Sequence, residues 1–452
     1  MKNLKNPITR AILLASFLML AAAGMQAATH TVTKAQNTND GVCDADCSLR
    51  EAIDVSNAGD RVVFSSLFNT PQTIDVNPKL LISLNLTITG PGAELLTIFG
   101  NNSEAFEISS GIVNLSGMTI DSSTTIGFVN YGTTTVSECV FTDNEGAIIN
   151  YAGTMTIRDS TITENIGFQP AVENRSEMTV SGSTFSNNLR EGIVNDGGTL
   201  TVTNSTVSGN TGNGIENDAG TATITGSTVV YNPIGIEANG GTVTVRSTIV
   251  AGTAVINGRD IDQNFSGVII SGGYNLIGAD TGYFTNLGDQ TGTFITPLDP
   301  QIDPLGDYGG MTATHRLKTN SPAIDKAYSF GSATDQRDFL RPFDRANYPN
   351  ATGGDGSDIG AYELQFAVFV AGGVFDSLGR PIKNTRVLLR AENGEQRVVK
   401  TDRFGGYRFD NVARNRNYQV GVANYRLEVV PQFWFITVTE ENIGNLNFTV
   451  LP

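Results

Sequence analysis

Six short stretches decide the fold: Gly132-Thr-Thr-Thr-Val, Gly153-Thr-Met-Thr-Ile, Ser176-Glu-Met-Thr-Val, Gly198-Thr-Leu-Thr-Val, Gly220-Thr-Ala-Thr-Ile and Gly241-Thr-Val-Thr-Val. Their starts are 21, 23, 22, 22 and 21 residues apart. The fourth residue of each is threonine (Thr135, Thr156, Thr179, Thr201, Thr223, Thr244), and the fifth is Val136, Ile157, Val180, Val202, Ile224 or Val245. Such alternation predicts a strand with one buried face. A second apolar position follows at Phe141, Ile162, Phe185, Val207, Val229 and Ile249. Two asparagine series run alongside: Asn144, Asn165, Asn188, Asn210 and Asn232, and Asn130, Asn150, Asn174, Asn195 and Asn217. One coil of about 22 residues cannot bury its inner side alone, so stacked coils must supply the core. The prediction is a parallel β-solenoid. Asparagine suits its corners because it tolerates left-handed backbone angles, and stacked amides can bond coil to coil.

Cys139 stands where Ser160, Ser183, Ser205 and Ser227 stand in later units, so it is expected to be a buried, inert thiol. Weaker units at Gly111-Ile-Val-Asn-Leu and Leu84-Asn-Leu-Thr-Ile, and a later candidate over 266–276, extend the array. Roughly ten coils at about 4.8 Å each would make a rod about 50 Å long.

Composition narrows the chemistry. Glycine numbers 50 and proline only 15, and charged residues make up 16% of the chain, so the glycine does not signal disorder. Only two histidines occur, His30 and His315, which excludes a site built on several of them. Residues 1–28 read as a secretory signal peptide: Lys2, Lys5 and Arg10, an apolar run over 12–23, then small residues. Without that leader, 26 cationic side chains face 45 acidic ones, a net charge of −19. Such a chain repels nucleic acid and anionic membranes, and anionic polysaccharide unless calcium bridges the two. No later segment is apolar enough to span a bilayer, so a secreted or cell-surface bacterial location, extracellular or periplasmic, is expected. An oxidising compartment favours a Cys43–Cys47 disulfide.

At the N-terminal end, Ser48-Leu49-Arg50-Glu51 is a capping-box sequence, with Leu49, Ala52 and Ile53 on the apolar side of a short helix over the first coil. The run Cys47-Ser48-Leu49-Arg50-Glu51-Ala52-Ile53, preceded by Asp40-Gly41-Val42-Cys43, resembles the CSLREA domain. That resemblance implies the start of a secreted bacterial β-helix protein. After the repeat come Tyr308-Gly309-Gly310-Met311-Thr312, Ser321-Pro322-Ala323-Ile324-Asp325, Thr334-Asp335-Gln336-Arg337, Arg341-Pro342 and Asp358-Ile359-Gly360-Ala361-Tyr362-Glu363. These resemble the choice-of-anchor Q domain, which implies a closing cap for the rod. Tyr308, and Asp338 and Leu340 around Phe339, depart from that family's pattern. Asp325, Asp335, Arg337, Arg341 and Asp358 are candidates for an ion-pair network that stitches the cap. His315 is expected to be a hydrogen-bonded cap residue.

From Phe366 the pattern becomes seven short strands with regular turn signals, a small β-sandwich. Thr401-Asp402-Arg403-Phe404-Gly405-Gly406-Tyr407-Arg408-Phe409 and the Gly379-Arg380-Pro381 turn resemble a carboxypeptidase regulatory-like domain, a transthyretin-type sandwich. The expected organisation is therefore a signal peptide (1–28), a CSLREA-type cap (29–60), a right-handed parallel β-helix of the pectin lyase kind (61–290), a choice-of-anchor Q-type cap (291–365) and the sandwich (366–452). The fold class is all-β.

Two function classes compete. A non-catalytic extracellular binding or adhesion protein would use the long repetitive surface against carbohydrate or a cell surface. A polysaccharide lyase or glycoside hydrolase needs clustered carboxylates with a basic partner on one face. The repeated strand carries threonine outward, with isolated Arg158 and Arg246, and no Gly-His-Gly occurs. Glu145, Glu173, Glu216 and Glu237 fall near the third strand of their coils without a recurring basic partner. Binding is therefore preferred, with no catalytic residue and no cofactor assigned. Calcium would suit the Asp-rich loops at 40–46, 299–307 and 355–358, but none has EF-hand spacing. The outward Thr-x-Thr pairs resemble the arrays of β-helical ice-binding proteins; threonine is also simply a good exposed-strand residue, and that is the reading taken.

Overall fold

The computed structural model describes residues 27–252, 259–280, 282–345, 347–365, 368–392, 394–413, 416–423, 427–439 and 442–451. The signal segment, apart from Ala27 and Ala28, lies outside them. The repeats form a parallel β-solenoid of three faces. In one coil the first face is Thr133–Ser137, the second Val140–Thr142 and the third Gly146–Asn150. Each pairs in parallel with its counterpart one coil away, so that Val136 lies beside Ile157, Phe141 beside Ile162 and Asn150 beside Asn174.

The inward stack is as the period requires. Val136, Ile157, Val180, Val202, Ile224 and Val245 are all fully buried and belong to one continuous core. On the second face the series is Phe141, Ile162, Phe185, Val207, Val229 and then Val250, since Val229 pairs with Val250. Ile249, expected in that series, points outward instead and packs in a separate apolar cluster.

The asparagines bond from coil to coil. In the ladder between second and third faces, the Asn144 amide donates to Asn165 (3.0 Å), Asn165 to Asn188 (2.8 Å), Asn188 to Asn210 (2.8 Å) and Asn210 to Asn232 (3.0 Å). A second ladder runs from Asn130 through Asn150, Asn174 and Asn195 to Asn217, with spacings of 2.7–2.9 Å. The left-handed residue at the first corner is not the asparagine but the one before it: Asp143, Glu164, Asn187, Gly209 and Tyr231 have φ of 55–68°. The asparagines are there for their amides, which satisfy buried carbonyls. A serine ladder marks the other corner, where Ser160 Oγ accepts from the Cys139 amide (3.2 Å). Cys139 is buried, and burial pushes its thiol up to about 12.

The ends are closed by local elements. Leu49–Asp54 is helical, Ser48 and Glu51 form the capping box, and Leu49, Ala52 and Ile53 join the core. A Cys43–Cys47 disulfide ties the preceding loop. Beyond the last coil, Phe284 is buried in the same core.

The segment following the repeat, expected as a C-terminal cap, reaches back from the last coils, where Gln290 bonds the Pro322 carbonyl (2.9 Å). It lies along the side of the rod, over the second face. Outward Thr184, Thr206 and Thr228, which would face water on a bare rod, are buried beneath it. Gln336 bonds Thr184 (2.9 Å) and Thr206 (2.6 Å), Ser208 meets His315 (2.9 Å), and the Ala361 amide donates to Thr228 (2.9 Å). Val230, Ile249 and Leu276 of the rod pack there against Ile302, Leu317, Ile324, Ile359 and Tyr362. The outward side of this face turns apolar in its later coils, and apolar surface must be covered.

The C-terminal strands form two four-stranded sheets around a core that includes Val370, Val374, Leu389, Phe409, Val420 and Phe448. Eight strands are present among the described residues; the pattern expected seven, and Gln396–Lys400 and Val429–Val430 were not foreseen.

Candidate functional site

The charged residues of the side flap are structural. Arg337 contacts Asp335 at 2.6 Å, donates to the Glu363 carbonyl (2.7 Å), and stacks 3.5 Å from the Tyr362 ring centroid. Arg341 reaches the Asp358 carbonyl (2.7 Å) and lies 3.4 Å from Glu363. Asp358 accepts from the Asp325 amide (2.7 Å), and Asp325 accepts from the Arg345 amide (3.1 Å). The five expected residues thus come together, with Glu363 as a further member. All of these side chains are buried, and each is occupied with backbone groups of the flap. His315 is held between Ser208 and the Asp303 carbonyl (2.8 Å), and burial lowers its pKa.

Asp358 and Glu363 share the Arg341 guanidinium, Asp325 lies near Arg345, and burial raises all three carboxyls: Asp325 to about 6, Asp358 to about 7, and Glu363 well above its ordinary value. The folded state therefore keeps protons that the unfolded chain loses near pH 4. Stability is fully present below that pH and is lost as pH rises through about 6 to 7. The melting temperature should fall by several degrees between pH 5 and pH 8. Asp325 Oδ1 is buried without a hydrogen-bond partner, so Asp325→Asn keeps the bond at Oδ2 and removes one titration. This variant should flatten the decline; a melting curve as steep as the parent's would refute the assignment.

The third face and its edge carry a second set of acidic and aromatic side chains, with Val129, Ile149, Glu173 and Val194 of its outward row themselves buried. Its outward row reads Glu107, Val129, Ile149, Glu173, Val194, Glu216, Glu237 and Asp262, each beside the next across a coil. Just past the second asparagine ladder, Tyr131 and Tyr151 stack at 5.2 Å with nearly parallel rings, 44% and 38% exposed. Arg175 covers the next ring face at 5.0 Å and bonds Glu173 (2.5 Å) and Asp196 (3.4 Å). Further along, the Asn213 amide bridges Glu216 (3.0 Å) and Glu237 (2.5 Å). Asn239 bonds Glu216 (2.9 Å) and Asp218 (3.0 Å), and Asn264 bonds Glu237 (2.7 Å). Burial, with the charge of Asp218, pushes Glu216 up to about 7; burial and Asp262 raise Glu237. From Tyr131 to Asp262 the strip covers six coil steps, about 29 Å.

Of the four acids expected near the third strand without a recurring basic partner, Glu173 pairs with a basic residue among the described residues, Arg175. Glu145 sits in the turn just before the strand, outside the row, and accepts from the Phe168 amide (3.1 Å). The aromatic pair and the asparagine bridges were missed, although Tyr131 and Tyr151 each directly follow a ladder asparagine. Arg158 pairs with its neighbour Asp159 (3.2 Å), and Arg246 lies 5.5 Å from the Phe330 ring centroid. In the Asp-rich loops, Asp46 pairs with Lys34 (3.1 Å), Asp303 with Arg316 (2.7 Å), and Asp355 accepts from the Ser329 and Ser357 amides. Among the described residues no three His, Cys, Asp or Glu side chains are grouped to hold a metal ion.

The family model "Right handed beta helix region" matches residues 97–250. No curated protein matches the chain. Among solved structures, pectate lyase Pel9A is similar at 14% identity over 76% of this chain and 98% of its own, with a TM-score of 0.46. The A-module of the Azotobacter vinelandii mannuronan C-5 epimerase AlgE4 is similar at 13% identity over 53% of this chain and 94% of its own, with a TM-score of 0.26. Likeness at that level concerns fold alone, and the fold stands on the strand ladders and the matched region: a right-handed parallel β-helix followed by a β-sandwich.

Proposed function

We propose that the chain is a secreted, non-catalytic extracellular binding or adhesion protein whose third face holds an uncharged polysaccharide. The observation that carries this reading is the strip from Tyr131 to Asp262. It sets two exposed aromatic rings beside half-buried carboxylates and amides, in register from coil to coil, the mixture that packs against sugar rings and exchanges hydrogen bonds with hydroxyls. The flap's contacts with the rod are on the second face. The acidity of the rod favours an uncharged ligand over a uronate polymer. The CSLREA, choice-of-anchor Q and carboxypeptidase regulatory-like resemblances, with the boundaries given above, fit an exported protein displayed at or beyond a cell surface.

A second reading rests on Glu216, which burial and Asp218 push up to about 7 beside Glu237, a range that suits a general acid. Both carboxyls, however, are bridged by Asn213, and no Lys or Arg bonds either one among the described residues. Isothermal titration against galactan, glucan and mannan tests the proposal. One of these polymers should bind, equally well in EDTA, and Tyr151→Ala or Glu216→Gln should weaken binding about tenfold without product release. Release of sugar fragments by the parent, abolished by Glu216→Gln while binding persists, would replace binding with catalysis.

A further inference from the structure

The charge of this chain is divided unevenly. Residues 366–452 hold 11 Lys and Arg against 8 Asp and Glu, a net of +3, while residues 1–365 hold 18 against 37, a net of −19. The repulsion that keeps acidic polymers off the rod does not extend to the sandwich. One of its sheets, made of Gln396–Lys400, Arg386–Ala391, Arg416–Val422 and Phe433–Val438, buries Val387, Leu389, Tyr418, Val420 and Val438 on its inner side. Its outer side is open. There the register sets Arg390 beside Gln419 and Gln419 beside Phe435 across three neighbouring strands. In the next row Leu388 lies beside Gly421 and Gly421 beside Phe433. A Cβ at Gly421 would come within 2.6 Å of the Phe433 ring, so the glycine lets that ring lie close to the sheet.

Phe435 is 78% exposed, an unusual expense for a bulky ring on a flat sheet. Beside it runs a groove of about 570 Å³, lined by Arg390, Glu392, Asn417, Gln419, Phe435 and Thr437. Asn417 is fixed by Thr437 (2.7 Å) and by Glu392 (3.0 Å), so its amide is pre-oriented. Arg390 and Arg386 are exposed, and neither forms an ion pair among the described residues.

We propose that this groove binds a uronic-acid-bearing polysaccharide: a sugar ring lies on Phe435, its carboxylate meets the Arg390 guanidinium, and its hydroxyls bond Gln419 and the Asn417–Thr437 pair. Guanidinium matches a carboxylate in a planar, two-point contact. A single flat aromatic flanked by amide and hydroxyl groups at strand spacing suits a sugar better than a wholly apolar partner surface. The sandwich would then hold an acidic polymer while the rod deals with a different ligand, and the inference does not depend on the rod's role.

Affinity electrophoresis and titration of the full chain against polygalacturonate, with uncharged galactan as comparison, test it. Polygalacturonate should bind at 50 mM NaCl and weaken at least tenfold at 500 mM. Phe435→Ala and Arg390→Gln should each weaken it about tenfold, whereas Tyr151→Ala on the rod should leave it unchanged. Both sandwich substitutions are at exposed positions, and unchanged melting curves will show that the fold is intact. No binding of polygalacturonate by the parent, or equal binding by Phe435→Ala and Arg390→Gln, overturns the proposal. So does an equal loss of galactan binding in Phe435→Ala, or its conversion of a dimer to a monomer in sedimentation, which would make this face a contact between copies.

Discussion

Phe185→Ala should destabilise the protein by about 3–5 kcal/mol, the usual cost of truncating a buried phenylalanine. Phe185 is fully buried near the middle of the rod, with Ile162 on one side and Val207 on the other. Its neighbours are held by parallel ladders and by the asparagine amides, so they cannot collapse far into the space left behind. In a solenoid each coil is stabilised mainly by the coils next to it. A cavity in a central coil therefore weakens the coupling between the two halves of the rod, and unfolding should become less cooperative. Thr179→Ala, on the outer side of the neighbouring first-face strand, should change stability by about 0.5 kcal/mol or less. Denaturant titration of both variants checks the expectation. A Phe185→Ala midpoint indistinguishable from that of Thr179→Ala would mean that the inward stack is not the core.

The second large effect is expected at Arg337. Arg337→Met keeps much of the side-chain length but removes the guanidinium, leaving the Asp335 carboxylate buried with only backbone amides, those of Arg337 (2.8 Å), Phe339 (3.0 Å) and Glu363 (2.9 Å). Breaking a buried pair in this way costs about 3–5 kcal/mol. The loss also reaches the flap's hold on the rod, because Gln336, the next residue, bonds Thr184 and Thr206. Limited proteolysis should then cleave within 298–365 before it cuts the repeats. Combining Arg337→Met with Asp335→Asn should recover part of the stability by removing the stranded charge. A single variant as stable and as protease-resistant as the parent would show that the flap is held by its apolar cluster alone.

Legibility in the sequence followed repetition. The inward stack, both asparagine ladders and the serine positions were readable because each imposes the same steric and hydrogen-bonding demand about every 22 residues. Where the demand was not repeated, reading failed. Ile249 is apolar and close to the expected position, yet it points outward, because an alternating strand exchanges faces with a shift of one residue. The capping box at Ser48 was legible for the opposite reason: its two bonds close within four residues.

The candidate strip was legible only in part. Its acids could be seen, but the pairing of Glu173 with Arg175, and the bridging of Glu216 and Glu237 by Asn213, depend on which turn residues of adjacent coils lie together. The stacking of Tyr131 on Tyr151 depends on the same corner of adjacent coils coming together, since the asparagines before them pair in register.

From the sequence alone came the solenoid, its three-sided coil with an apolar interior, the short N-terminal helix and the change to a sandwich near 366. These follow from local alternation and from a period that only stacking can satisfy. The tertiary structure alone decided that 298–365 reaches along the side of the rod, because that placement depends on contacts such as Gln336 with Thr184, 152 residues apart. Burial of the second face under this segment then removes that surface from those a ligand could reach. No local pattern encodes that burial, since outward threonines read alike whether water or another part of the chain covers them.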